Sequence, residues 1–468
     1  MDKGLRRGIL IVFVTNIINL LFSLITNFIL PKYLSVDTYA QIKTYQLYLS
    51  YVGLLHLGYV DGIYLQYGGR SLGKRLDEKF VTSMSTMRIL ETAVTILCAL
   101  IAVSLNNNIL LYFALTIIPA NMNSFFKYLY QATGEFDRYG RILNLSTILN
   151  FIINLLIVFV FRIDNYVQII LLYVLIQYII WVLLEVRFRS IHELVRTNTL
   201  FSWADLTENV SLGFFLTVGN LASLLLTSMD RWFVKILLDS SSFAYYSFAV
   251  SVEGFLNIAI TPITTTLYNY FCRERDEEKH KSAFQYLIIF SCLLPCAAFP
   301  FKLVLQYYLP TYYAANAIIF ILFGSKTFNI IVNSLFVNLY KVNRQQKRYF
   351  IKLALVLAVG FVLNVASYFV LKSNEGFAIA TLLSSILWFV ISLADFKYLK
   401  FSFKEGCFIG VSVTLLIVLG LFVNSIAGFI LFVAVDIIAA YVLMRDTTKQ
   451  LITIAKNRIK NLKGGVLS

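Results

Sequence analysis

The sequence predicts an all-α polytopic membrane protein with about fourteen transmembrane helices: two six-helix lobes related by a parallel repeat, and an accessory C-terminal pair. Three observations lead there: a composition that water cannot solvate, apolar segments that follow one another along the chain, and an internal match at a fixed offset. Of the 468 residues, 59% are hydrophobic and only 14% are charged. The mean hydropathy is +0.75, and an ordinary soluble domain is about 25% charged. A hydrocarbon core about 30 Å thick needs roughly 20 apolar residues per helix, and helices satisfy their own backbone hydrogen bonds in lipid.

Segment 1 covers residues 8–30. It follows Lys3, Arg6 and Arg7 as a signal peptide would, yet it runs to Leu30 without a small-residue cleavage site, so a retained helix is expected. Segments 2 to 6, at 45–67, 82–105, 109–132, 142–161 and 166–186, complete a first lobe over 1–187. Segments 7 to 12, at 207–237, 243–271, 283–305, 315–340, 351–371 and 376–396, make a second lobe over 207–396. Segments 13 and 14, at 405–423 and 427–444, form the accessory pair, and a basic tail follows over 445–468.

The net charge of +15 invites a nucleic-acid partner until each charge is placed. With the N-terminus cytoplasmic, 30 of the 40 Lys and Arg fall in loops on that side, against Lys32, Lys43, Arg162 and Lys372 in loops opposite. The positive-inside rule then puts both termini in the cytoplasm, and the surplus charge needs no nucleic acid. The tail carrying Lys456, Arg458, Lys460 and Lys463 can rest on anionic lipid headgroups or serve only as a topological anchor. The five cysteines, Cys98, Cys272, Cys292, Cys296 and Cys407, include no CxxC pair and no nearby histidine cluster. A disulfide framework and a metal site are therefore not expected.

Aligning Asn123 onward with Asn333 onward, an offset of 210, gives 13 identities over 39 ungapped residues. Apolar composition inflates such matches, but Asn123/Asn333, Ser124/Ser334, Arg138/Arg348, Tyr139/Tyr349 and Asn154/Asn364 are polar pairs and escape that objection. Segments 4 and 5 thereby superpose on 10 and 11, so the repeat unit is six helices. Six is even, so both copies enter the membrane the same way, which is the parallel case that suits a rocking transporter.

Four stretches now carry a family resemblance. They are Leu30 to Ala40 (LPKYLSVDTYA), Gln131 to Arg141 (QATGEFDRYGR), Met229 to Ser247 (MDRWFVKILLDSSSFAYYS) and Asn364 to Ser384 (NVASYFVLKSNEGFAIATLLS). In this order, on a six-plus-six repeat, the chain resembles the multidrug/oligosaccharidyl-lipid/polysaccharide flippase superfamily over about residues 8–396, specifically its polysaccharide-biosynthesis branch of O-antigen and capsule type. Many members have only twelve helices, so segments 13 and 14 depart from the pattern. The resemblance implies a flippase and not an enzyme. It would move an undecaprenyl-pyrophosphate-type oligosaccharide from the cytoplasmic to the outer leaflet of a bacterial inner membrane, by alternating access and without a cofactor. A polysaccharide polymerase and a chain-length regulator are the implied protein partners, with membrane lipids around them. Independently, the chain has no GxxxxGK[ST] loop for ATP.

A charge at a helix centre costs about 2.5 to 3.5 kcal/mol on translocon scales, so each one requires a reason. Arg88 and Lys127 lie near cytoplasmic segment ends and Lys302 near the outside, where all three can snorkel; Glu91, one turn from Arg88, is its expected partner. Lys326 falls mid-segment, and its repeat counterpart is the neutral Thr116. Asp230, Arg231 and Lys235 lie in segment 7, Glu253 in segment 8 and Asp61 in segment 2. The resemblance implies that segments 1, 2, 7 and 8 line a cavity. Arg231, Lys235 and Lys326, with Asp230 beside them, are expected at the pyrophosphate, since Arg binds phosphate oxygens bidentately and Lys acts as a point charge. Asn16 and Asn19, with Asn27 near the same face of segment 1, are expected at sugar hydroxyls or in interhelical packing. Asp61 and Glu253 are the candidates for coupling to H⁺ or Na⁺. For each charge, a structural ion pair between helices remains open. A multidrug cation antiporter of the same superfamily is the competing function and would favour a cavity of carboxylates and aromatics. A membrane glycosyltransferase would need a large external loop, and the outer loops are short.

Overall fold

The computed structural model describes residues 21–195 and 198–453. They are almost entirely helical, and eleven helices are long and apolar enough to cross a membrane, twelve if one bent pair counts as a single span. The chain divides into two compact units, Met1–Ser228 and Met229–Ser468.

In the first unit, α1 is described over 21–33, and Val36–Leu49 (α2) and Tyr59–Gln66 (α3) follow. Next come Glu78–Ser104 (α4), Asn108–Ala132 (α5), Phe136–Leu155 (α6), which continues as a π-helical turn to Phe161, and Tyr166–Ile191 (α7). The long helix Trp203–Leu237 (α8) begins in this unit and runs past its boundary. An aromatic core of Phe80, Phe125, Phe126 and Phe188 binds α4, α5 and α7, with Phe126 and Phe188 ring centroids 5.3 Å apart. Below it, Asp205 of α8 accepts from Tyr59, from the Ser83 hydroxyl at 2.5 Å and from Asn209 at 3.1 Å.

Segment 2 needs correction. Instead of one helix over 45–67, the structure has α2 and α3 joined by a turn. Ser35 sets the true start, its hydroxyl accepting from the Thr38 amide at 3.3 Å as an N-cap does. The break falls at Leu57 and Gly58, both left-handed with φ of 54° and 90°, and glycine takes that conformation at least cost. Lys43 consequently belongs to α2, not to an outer loop. With segment 1 mostly outside the described residues and segment 2 in two short pieces, the twelve remaining segments are the eleven spans and the bent pair.

The second unit contains Ser240–Gly254 (α9) and Asn257–Arg273 (α10), the pair bent by 45°. Glu277–Leu293 (α11) and Ala298–Tyr307 (α12) meet at a 3-10 turn that begins Leu294-Pro295. Asn316–Ile331 (α13) is the central helix; it passes through a π-helical turn into Val337–Val342 (α14), and 83% of the apolar window of this span is buried. Gln346–Val370 (α15) and Asn374–Leu393 (α16) complete the second repeat.

The duplication extends to the backbone. Gly134 and Arg344 are both left-handed, as are Arg162 and Lys372, and each pair is separated by the same 210 residues as the sequence match. These four residues end α5, α14, α6 and α15, so the repeat copies the stops as well as the helices. Asn154 and Asn364, another such pair, each donate to the carbonyl one turn earlier, at 2.6 and 2.8 Å.

The accessory helices Phe403–Phe422 (α17) and Ser425–Leu443 (α18) are fastened to the second unit by polar groups. Lys302 does not snorkel: it is 3% exposed, and its Nζ donates to the carbonyls of Gly420 at 2.6 Å and Val423 at 2.8 Å. These are orphan carbonyls at the end of α17, which a cation satisfies well. Asn316 adds a third bond to Gly420 at 3.2 Å. Within the pair, the Ser412 hydroxyl donates to buried Asp436, a residue for which the sequence alone offered no role.

Candidate functional site

The first unit holds a cavity of about 430 Å³ between the α2–α3 connection, α3, α5 and α8, within the usual size range of ligand pockets. Its lining is rich in hydrogen-bonding side chains: His56, Asp61, Ser124, Tyr128, Thr217, Asn220, Ser223 and Thr227. Two features of the sequence build it. The α2/α3 break turns His56 inward, where Nδ1 accepts from the Gly58 amide at 3.1 Å; the neutral ring then carries its proton on Nε2. Gly62 and Gly213 then let α3 and α8 touch backbone to backbone, since a Cβ on Gly213 would lie 2.0 Å from the Gly58 carbonyl oxygen. That approach brings Asp61, 7% exposed, within 2.6 Å of the Thr217 hydroxyl, which donates to it.

The second unit holds a charged cluster on α8, α9, α13 and α16. Lys326 and Glu253, assigned separately from the sequence, are one ion pair at 3.0 Å. Each side chain is 15% exposed, and Lys326 also reaches Asn257 at 3.5 Å. Asp230 is saturated: it accepts from Tyr246 at 2.7 Å, from Thr381 at 3.0 Å and from the Arg231 amide at 2.8 Å, tying α8 to α9 and α16. Arg231 differs, because its Nε is buried with no hydrogen-bond partner among the described residues. Lys235 lies over the Phe243 ring at 5.5 Å.

Asn16 and Asn19 lie outside the described residues. Asn27 donates to the Ser23 carbonyl at 2.9 Å and accepts from Lys43 at 3.3 Å. The expected Arg88–Glu91 pair does not form: Arg88 pairs with Glu185 of α7 at 2.6 Å, and Glu91 accepts from Asn121 at 2.7 Å. Facing helices supply nearer partners than the next turn of the same helix does. Sequence reasoning passed over His56 and Thr217. The available signal was His56 itself, since a histidine in a membrane segment is rare and needs a partner.

With the fold and these two clusters placed, comparison becomes informative. The family model described as polysaccharide biosynthesis protein matches residues 5–274, more than half of the chain. The chain belongs to the polysaccharide biosynthesis protein family. None of the curated proteins matches the sequence. Among solved structures, the lipid II flippase MurJ in an inward closed conformation is similar with a TM-score of 0.68 at 16% identity, covering 94% of this chain and all of that one. An inward-facing multidrug resistance MATE family transporter of the MOP superfamily follows with a TM-score of 0.57 at 11% identity, covering 81% and 95%. At these identities the likeness is one of fold: the chain shares the all-helical membrane architecture of both structures.

Proposed function

We propose that the protein is a flippase that carries a polyprenyl-pyrophosphate-linked oligosaccharide from the cytoplasmic to the outer leaflet of a bacterial inner membrane, by alternating access, for surface polysaccharide assembly. The family match over residues 5–274 carries this reading. The chemistry of the two clusters supports it. Arg231 is the group best suited to a pyrophosphate, because its buried Nε still lacks an acceptor and an unpaired buried donor costs about 1 to 3 kcal/mol until a ligand fills it. Lys326 and Lys235 add positive potential, with Glu253 offsetting part of it. The hydroxyls and amides of the first-unit cavity suit sugar rings, while the polyprenyl chain stays in lipid.

No bond is made or broken, so the work lies in changing exposure. Asp61 and Glu253 are the groups proposed to exchange H⁺ or Na⁺ with that change. The proposed partners are the polymerase and chain-length regulator that would receive the product outside, and the proposed orientation has both termini in the cytoplasm. The deciding experiment uses full-length protein in vesicles loaded with a fluorescent polyprenyl-pyrophosphate oligosaccharide. Appearance of the sugar at the opposite leaflet without ATP is expected. If the vesicles instead expel a cationic dye in exchange for H⁺ or Na⁺ and the lipid stays put, the protein is a cation antiporter.

A further inference from the structure

A second pocket of the first unit, of about 280 Å³, opens between the ends of α5, α6 and α7. Its rim is Arg138, Arg141 and Arg187, and its wall is apolar, including Ile142, Leu145 and Leu184. Arg138 is committed within the protein: it pairs with Glu135, approaches His192 Nε2 at 3.3 Å and lies over Tyr130 at 5.6 Å. Arg141 and Arg187 are exposed. Among the described residues, Arg141 donates from Nε alone, to the Asp137 carbonyl at 3.1 Å, and Arg187 has no ion pair. The neighbouring carboxylate, Glu185, does not reach them, being held by Arg88 at 2.6 Å and Arg189 at 2.8 Å.

The repeat supplies an internal control. At the corresponding positions of the second lobe, Arg141 becomes Ile351 and Ile142 becomes Lys352. Lys352 pairs with Asp395 at 2.7 Å, and Tyr340 also donates to Asp395, at 2.8 Å. There the cation is neutralised within the chain, so the exposed Arg141 is particular to the first lobe.

We propose that this pocket holds an anionic glycerophospholipid of the cytoplasmic leaflet, its phosphodiester between Arg141 and Arg187 and its upper acyl chain along Leu145 and Leu184. Arginine forks match phosphate oxygens, and basic pockets between membrane helices on the cytoplasmic side suit anionic headgroups. The leaflet rests on the cytoplasmic placement of the termini; the lipid class rests on the pocket alone.

The test is native mass spectrometry of the full-length protein released from nanodiscs of phosphatidylglycerol and phosphatidylcholine. Wild type should retain phosphatidylglycerol selectively. Arg141→Gln/Arg187→Gln should retain it about 30-fold less, the fold-change expected from two headgroup charges. Arg273→Gln/Arg275→Gln, with the same net charge, should match wild type. Arg141→Lys/Arg187→Lys should fall between, which separates loss of the site from misfolding. Equal retention by the Gln pair and wild type overturns the proposal. So does displacement of the bound lipid by inorganic pyrophosphate or a polyprenyl phosphate, either of which would make the pocket a substrate port. None of these readouts measures export, so failure here leaves the flippase reading standing.

Discussion

At the scale of single residues, the sequence marked which charges were deeply placed but not which would meet. Lys326 and Glu253 are far apart in the chain and were assigned to different tasks, and only folding puts them 3.0 Å apart. The pair changes what a mutation measures. Removing one partner of a fully buried ion pair costs about 3 to 5 kcal/mol, because the other charge is left uncompensated, and this pair, 15% exposed on each side, should lose less. Lys326→Glu should be the most damaging change, since it places two carboxylates together where Coulomb terms are poorly screened. Lys326→Gln should be milder. Export measured at matched membrane abundance should therefore run wild type, then Gln, then Glu. The swap Lys326→Glu/Glu253→Lys should recover abundance towards wild type if the pair is structural glue, and should still export poorly if the position of the cation matters to the substrate. Arg231→Ala should behave differently, because no described hydrogen bond is lost from Nε. Thermal stability should stay within a few degrees of wild type while export falls at least tenfold, as expected when a group contributes about 1.4 kcal/mol or more to substrate alone.

At the scale of elements, apolar runs of about 20 residues made segments 3 to 14 legible, because lipid imposes both their length and their composition. Segment 2 was misread for a physical reason. Its first turns carry Asp37, Gln41, Lys43 and Gln46 and look like a loop, and the break at Leu57 and Gly58 lies inside an otherwise apolar run. The cap at Ser35 and the Leu-Gly pair were the local signals. Lys302 was misread in the opposite direction: a cation near a segment end can snorkel, but only the packing of α17 reveals buried carbonyls waiting for it. Lys302→Met should leave the Gly420 and Val423 carbonyls less satisfied, and each buried group so orphaned costs about 1 to 3 kcal/mol. The expected result is a lower unfolding temperature in detergent, with crosslinks between α12 and α17 weakened. Export should survive if α17 and α18 are accessory to transport. A second element-level expectation concerns the α3/α8 crossing, where Gly213→Leu would drive a side chain into the backbone at Gly58 and Gly62. Loss of folded protein is expected there, whereas Gly410→Leu, which meets nothing within 4 Å, should be tolerated.

At the scale of the whole molecule, the repeat was legible to an unusual depth, because an offset taken from 39 residues also predicts where left-handed residues recur, at Gly134/Arg344 and Arg162/Lys372. Helix stops are copied with the helices because a duplicated chain inherits its turn geometry even when glycine has become arginine. What the pattern cannot fix is the partner of each polar side chain, which depends on long-range packing. Orientation follows from a different physical source, the cost of moving Lys and Arg across the membrane during insertion, and it makes the last prediction. The expected unit of six spans is even, so equivalent turns of the two lobes should emerge on the same side. Reporter fusions at Asp137 and Gln345, beside the Gly134 and Arg344 turns, should therefore agree with one another and read cytoplasmic. Fusions at Asp164 and Ser373, beside the Arg162 and Lys372 turns, should also agree and read outside, although Lys372 and Arg162 are themselves positive. The break at Leu57 and Gly58 adds a condition: if α2 and α3 together make one crossing, a fusion at Arg70 reads cytoplasmic. Disagreement within both equivalent pairs would mean that the lobes insert with opposite polarity, and the parallel repeat would give way to an inverted one; disagreement in one pair alone would break the span count between the two turns.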